Sequence, residues 1–135
     1  MYNSSKRSKF RLKSHIIFVT KYRKSVLFSP ISDKIKEILI NISNRDDSKF
    51  SIDVIETDKN HIHIMIDYEP TVTLSQIVRR LKQISSYHIW KLFQNELSSF
   101  YWRKDKKLFW SDGYFVASTG EASTATVFHY IKNQG

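Results

Sequence analysis

The 135-residue sequence predicts an α+β fold of the ferredoxin-like, RRM-like βαββαβ kind, an antiparallel sheet with helices on one face plus a C-terminal helix. Three observations carry this. Short runs rich in β-branched and aromatic residues recur along the chain. Two stretches between them repeat apolar residues at helical spacing, and each follows a proline. The segments then succeed one another as strand, helix, strand, strand, helix, strand, with one further helical stretch at the end.

The first strand is read over Phe10–Arg23, "FRLKSHIIFVTKYR", after a polar and basic start. Pro30 opens the first helix, where Ile31, Ile35, Ile38, Leu39 and Ile42 fall on one face. Lys49–Thr57 alternates Phe50, Ile52 and Val54 as a second strand, and Asn60–Tyr68 is the third. The polar turn "TDKN" between them predicts a hairpin. Past Pro70, the stripe Leu74, Ile77, Val78, Leu81 and Ile84 predicts a second helix reaching about Leu97. Leu108–Thr119 reads as a fourth strand with a turn or bulge near Asp112–Gly113, and residues 121–134 as a final helix after Gly120. Two helices cover only one face of such a sheet, which leaves the other for a site, a partner or nucleic acid.

Bulk composition limits the function classes. At this length one domain, residues 1–135, is expected. The chain is 41% hydrophobic and 14% aromatic, too apolar for a disordered protein. It has no cysteine, which excludes disulfides and thiolate metal sites and fits a reducing compartment. No apolar run approaches the roughly 18–20 residues of a membrane span. The start "MYNSSKRSKF" lacks the apolar core of a signal peptide, so a cytoplasmic location is expected. The net charge of +9, from 22 Lys+Arg against 13 Asp+Glu, points to a polyanionic partner.

The run "NHIHIMID" concentrates the chemistry. Residues i and i+2 of a strand share a face, so His61 and His63 project together while Ile62, Ile64 and Ile66 project into the core. Their Cβ atoms are expected about 6.5–7 Å apart, within joint reach of one ion. The same pattern also suits two hydrogen-bonded histidines on a polar face. Near the C-terminus, Tyr130 and Gln134 stand four apart on one helical face, beside a docking stripe of Val127, Phe128 and Ile131. His15, His88 and His129 read as structural or solvated.

Together, His61-Ile62-His63 and the Tyr130–Gln134 pair resemble the single-tyrosine HUH transposases, the TnpA-type enzymes of the smallest insertion sequences that move as single-stranded DNA. The stretches "TKYRK", "TDKNHIHIMI", "LKQISS" and "LFWSDGYFVASTG" are similar to that family too, so the likeness runs from about residue 12 to 134. Such proteins commonly continue past the glutamine, whereas this sequence ends at Gly135, which predicts a less well anchored tyrosine helix. The resemblance implies that Tyr130 is the nucleophile, forming a 5′-phosphotyrosine link and releasing a 3′-OH. It implies that His61, His63 and Gln134 bind a divalent metal. Two imidazoles and an amide oxygen suit Mg²⁺ or Mn²⁺. A metal on the scissile phosphate would help, since only about one free tyrosine in a thousand is ionised at neutral pH. The resemblance further implies a homodimer in which the tyrosine helix of one subunit, hinged at Gly120, completes the histidine site of its partner.

The basic clusters Lys6–Lys13, Lys21–Lys24, Arg79–Lys82 and Arg103–Lys107 interleave with Tyr22, Tyr101, Trp102 and Trp110. This suits single-stranded or hairpin DNA, with Lys21, Arg23, Arg79, Lys82, Arg103 and Lys104 as the candidate contacts. Two rival readings remain. "GYFV" at Gly113–Val116 is similar to the aromatic strand of a non-enzymatic RNA-recognition module. That signature belongs on the third strand, however, and here it falls on the fourth. A host nickase of the same HUH class, acting on repeats, would carry the same residues.

Overall fold

The computed structural model describes residues 12–45, 48–101 and 108–118. Its elements are β1 (Leu12–Val19), a 3₁₀ turn (Lys21–Arg23), α1 (Ile31–Ser43), β2 (Phe50–Asp58), β3 (His61–Tyr68), α2 (Leu74–Leu92), a short α3 (Gln94–Ser98) and β4 (Phe115–Ser118). The strands form one sheet in the order β2-β3-β1-β4, with every neighbouring pair antiparallel. This is the predicted split βαβ arrangement. The predicted final helix, with Gly120, Tyr130 and Gln134, lies outside the described residues, as do Arg103 and Lys104.

The core forms on one face of the sheet. Ile16 and Phe18 of β1 and Ile62, Ile64 and Ile66 of β3 are wholly buried against Ile31, Ile35 and Leu39 of α1 and Ile77, Val78 and Leu81 of α2. Both helices therefore pack on the same side, as their apolar stripes demand. α2 begins with a capping box. Gln76 N donates to Thr73 Oγ1 at 3.1 Å, and Thr73 N donates to Gln76 Oε1 at 3.0 Å.

Three boundaries and one strand register differ from the sequence reading, each for a local reason. β1 stops at Val19 because Tyr22 and Arg23 adopt positive φ, 58° and 55°, and turn the chain out of the sheet. Thr20 instead bridges to Trp110, and Ser111 N donates to Val19 O at 2.8 Å. α2 ends at Leu92, where Phe93 leaves helical geometry at φ −127°. β4 is short because Gly113, at φ 80°, bends the segment ahead of it.

The fourth difference matters most for the site. The β2–β3 register slips between Ile52 and Val54, so Ile52 faces Ile66 while Val54 faces Met65. This β-bulge moves Val54 off the core face and puts Ile55 opposite Ile64. Val54 is accordingly 40% exposed, contrary to the simple Phe50–Ile52–Val54 alternation.

Ile64 lies at the centre of the sheet between both helices. Ile64→Ala should lower the unfolding free energy by about 2–5 kcal/mol in urea titration. A loss well below that would mean the helix layer can collapse onto the vacated space.

Candidate active site

The face opposite the core carries the polar chemistry. Register places Lys13, His15, Ile17 and Val19 of β1 beside Asp67, Met65, His63 and His61 of β3, with Val54, Glu56 and Asp58 on the β2 side. His61 and His63 share this face as their spacing predicts, and both are 1% exposed. Glu56 is brought directly opposite His63 by the β2 bulge. Without it, Ile55 would occupy that place.

His61 is oriented by its neighbour. Asn60 Oδ1 stands 2.8 Å from His61 Nδ1. A carbonyl oxygen only accepts, so Nδ1 carries the proton and Nε2 the lone pair. The turn that holds Asn60 is fixed from β1 and its following loop. Thr20 N donates to Asn60 O at 2.9 Å, Leu27 N to Lys59 O at 3.0 Å, and Asn60 Nδ2 to Arg23 O at 3.5 Å. The last contact sets the orientation of the amide, because only its nitrogen can donate to a carbonyl.

His63 has different neighbours. Its Nε2 lies 2.7 Å from His15 Nδ1, with the two ring planes within 4° of parallel. Its Nδ1 lies 3.6 Å from Glu56 Oε1, a distance beyond a hydrogen bond. Burial, and then the neighbouring His15, hold the His63 pKa below the ordinary imidazole value, while Glu56 opposes them. His63 is thereby kept neutral, the form in which an imidazole can ligate a metal.

The donor set fits a divalent ion in part. The two imidazoles share a face, one has its tautomer set by an outer partner, and a carboxylate lies nearby. Among the described residues, no three His, Asp or Glu side chains converge as a complete metal centre. The third expected ligand, Gln134, is outside them.

The basic candidates divide. Lys82 is half-buried, and its Nζ donates to Ser111 O at 2.7 Å and Gly113 O at 2.5 Å while lying 5.5 Å from the Phe18 ring centre. It ties the 111–113 loop to α2, which departs from the expectation that it faces phosphate. Burial lowers its pKa. Lys21 and Arg23 lie on the turn after β1, where Lys21 Nζ stands 5.4 Å from the ring centre of exposed Tyr22. Arg79 is exposed on α2, at an open groove of about 520 Å³ that Ser86, Trp110 and Tyr114 also line. Lys13 pairs with Asp53 and Asp67, each at 3.2 Å.

Two of the aromatics expected to stack on bases are in the core, Tyr101 at 2% and Trp110 at 6% exposed. Trp110 Nε1 donates to buried Ser85 Oγ at 2.9 Å. Sequence reasoning missed Tyr87, which is 61% exposed with Lys91 Nζ 5.8 Å from its ring centre. The signal was present as a period-four stripe, Arg79, Gln83, Tyr87 and Lys91, all exposed on α2. It also missed His15 as a neighbour of His63, since only the β1–β3 register brings them together.

This architecture occurs among solved transposases. The chain superposes on a crystal structure of a Deinococcus radiodurans R1 protein described as a transposase, with TM-score 0.78, 26% identity, and coverage of 93% of this chain and 92% of that one. It shares its fold with a REP-associated tyrosine transposase solved bound to a REP hairpin, at TM-score 0.55 and 13% identity, over 89% of this chain and 62% of that one. The chain thus has a fold found among transposases. In sequence it is 24% identical to the ISDra2 transposase TnpA of Deinococcus radiodurans over 125 residues, covering 93% of this chain and 85% of that protein. It is 26% identical to the transposase of insertion sequence IS200 from Salmonella typhimurium over 129 residues, covering 94% and 79% respectively. The family described as "Transposase IS200 like" matches residues 8–134, and the chain belongs to it. No helix among the described residues is long and apolar enough to cross a membrane.

The lowered His63 pKa has a signed consequence. Above the unfolded value of about 6.5 the imidazole is neutral in both states. Below it, the unfolded chain takes up a proton that the folded site resists, so stability is lost as pH falls toward the folded pKa. In EDTA, the unfolding free energy of the wild type should decline below about pH 6.5, and His63→Phe should flatten that decline. Equal slopes in the two proteins would assign the acid sensitivity elsewhere.

Proposed function

We propose that this transposase cleaves and rejoins single-stranded DNA at insertion-sequence ends, with Tyr130 as the nucleophile. The observation that supports this most is the pair His61 and His63 on the sheet face away from both helices, in a chain of the IS200-like family. The phenolic oxygen of Tyr130 attacks phosphorus, the bond to the 3′ oxygen breaks, and that oxygen leaves as a 3′-OH after taking up a proton. The strand stays joined through its 5′ phosphate to the tyrosine. A second 3′-OH then attacks the same phosphorus, restores the diester and returns the tyrosine. The phosphodiester energy is conserved in the covalent link, so the reaction needs no nucleotide. Mg²⁺ or Mn²⁺ held by His61, His63 and Gln134 would supply Lewis-acid stabilisation of charge on the scissile phosphate.

The protein's own residues supply the rest. Asn60 orients His61, and burial keeps His63 unprotonated. Positive charge draws the strand in, with Lys21, Arg23 and Arg79 as phosphate contacts and Arg103 and Lys104 as further candidates. The Arg79–Gln83–Tyr87–Lys91 stripe adds a ring on which an unstacked base can lie. Subterminal hairpins are the expected DNA form, in keeping with the hairpin bound by the REP-associated relative.

A labelled single-stranded oligonucleotide carrying the element's end should form an SDS-stable, metal-dependent adduct with the wild type. Tyr130→Phe should form none. His63→Ala should lose cleavage while retaining DNA binding, and Gln134→Ala should lose less, because water can replace an amide ligand. Undiminished cleavage by His63→Ala with added Mg²⁺ or Mn²⁺ would remove the metal role.

The reading includes a homodimer with two composite sites, each taking Tyr130 from one subunit and His61 with His63 from the other, with Gly120 as the hinge. Mixing inactive Tyr130→Phe with inactive His63→Ala protein, and letting subunits exchange, should restore cleavage at one site per heterodimer. No recovery despite exchange, monitored by differently tagged chains, would mean that each chain builds its own site.

A further inference from the structure

The chain between β1 and α1 turns two rings outward. Tyr22 is 60% exposed and Phe28 45%, whereas Val26 and Leu27 between them are buried. Each exposed ring rests on one of two consecutive residues that follow α3. The Tyr22 ring centre stands 6.4 Å from that of Tyr101, and the Phe28 ring centre 6.1 Å from that of Phe100. Aromatic pairs at this separation attract, so both rings are supported while much of each stays in water. The backbone is held as well. Tyr22 and Arg23 are consecutive non-glycine residues at positive φ, 58° and 55°, a conformation that persists only where its surroundings dictate it. Lys21 N donates to Phe109 O at 2.8 Å, Arg23 N to Thr20 O at 2.9 Å, and Thr20 Oγ1 to Lys24 O at 2.7 Å. Glycine or asparagine would adopt this turn at lower cost. Neither the turn nor the core therefore accounts for a tyrosine at position 22.

We propose that Tyr22 and Phe28 form a stacking shelf for unpaired bases of the scissile strand, with Lys21 and Lys24 against its phosphates. This rests on the single-stranded DNA reading given above, but on neither the metal nor Tyr130. The surroundings select the ligand. Lys21 Nζ lies 5.4 Å from the Tyr22 ring centre, Lys24 is exposed, and no acidic residue precedes Asp33 in the chain. On the β2–β3 turn that packs against the segment, Lys59 is exposed and Asp58 Oδ1 accepts from Lys59 N at 2.8 Å. Rings interleaved with cations suit an unpaired nucleotide, whose base lies on a ring while its phosphate meets a lysine. Duplex DNA offers no free base face, and the core of a protein interface disfavours lysine. Position ties the shelf to the reaction. Val19, the last residue of β1, pairs with His61, and Thr20 N donates to Asn60 O at 2.9 Å. The segment thus leaves the sheet at the His61 end of β3, where a strand lying on it is led toward the histidines. A preset shelf also spares the ordering cost that a loose loop would add to binding.

The test uses the full chain in EDTA, which separates binding from metal-dependent cleavage. Fluorescence anisotropy reads the affinity for a labelled single strand carrying the element's end, and for the same strand annealed to its complement. Tyr22→Asn removes the ring but suits the left-handed turn, so it should melt no lower than the wild type. It should weaken single-strand binding about 5- to 150-fold and change duplex binding less than about 2-fold. Tyr22→Phe should stay within about 2-fold of the wild type, because the ring face is kept. 5-Iododeoxyuridine placed at unpaired positions beside the cleavage point should photocrosslink to Tyr22 or Phe28, as mapped by mass spectrometry. Unchanged single-strand affinity in folded Tyr22→Asn, or crosslinks confined to Tyr87 on α2, would overturn the shelf and leave the single-stranded DNA reading standing. A dimeric wild type that Tyr22→Asn renders monomeric in sedimentation would make the rings a subunit contact and overturn the shelf too. Failure of the wild type to bind the single strand would overturn both. Shelf crosslinks without any cleavage when Mn²⁺ is added would support the shelf while removing the cleavage reading.

Discussion

The alternation along β3 is the constraint on which the rest of the structure depends. Ile62, Ile64 and Ile66 are wholly buried under the two helices, and this forces His61 and His63 onto the opposite face. Slipping β3 by one residue would carry those isoleucines out of the core and the imidazoles into it. At roughly 1.5–3 kcal/mol for each buried aliphatic side chain, the apolar loss alone comes to about 5–9 kcal/mol. That is comparable with the whole stability of a small domain, roughly 5–15 kcal/mol. The hydrophobic core therefore fixes where the histidines point, and the site needs no separate device to choose a face.

The neighbouring strands then decide what the histidines meet. β1 contributes His15 through its register with β3, and β2 contributes Glu56 through its bulge. The bulge changes the parity of β2 part-way along. Phe50 and Ile52 serve the core before it and Ile55 after it, so Glu56 is released to the polar face. One inserted residue thus lets the same strand feed the core at both ends and deliver a carboxylate beside His63.

These dependencies explain what could be read from the sequence. The two helices, the hairpin and the shared face of His61 and His63 follow from periodicities within single segments, and periodicity survives folding intact. His15 reads from the sequence as structural or solvated, and it is buried; its partner 48 positions away comes only from strand register. The Phe50–Ile52–Val54 alternation carries no mark of the bulge that leaves Val54 exposed. Lys82 lies off the core stripe of its helix, which from sequence alone suggests a phosphate contact. Its actual partners are the carbonyls of Ser111 and Gly113, brought there by a loop distant in sequence. Tyr101 and Trp110 sit among basic residues in the sequence, yet their side chains complete the core. Local composition identifies charged neighbourhoods, but it does not identify which rings within them reach water.

The arrangement of charge follows the same division between faces. Lys82 is committed to holding the 111–113 loop, and Lys13 to Asp53 and Asp67. The cations that remain exposed on the helix layer form a line on α2, where Arg79 and Lys91 bracket Gln83 and Tyr87. This line is on the opposite side of the sheet from His61 and His63, because α2 packs on the isoleucine face. A strand held along α2 would have to pass around an edge of the sheet to bring a phosphate to the histidines. Lys21 and Arg23, on the turn where β1 leaves the sheet, are placed between the two surfaces, and Arg23 touches the site directly through its carbonyl contact with Asn60. The turn after β1 therefore couples the basic surface to the orientation of His61, through the amide that Arg23 and His61 share.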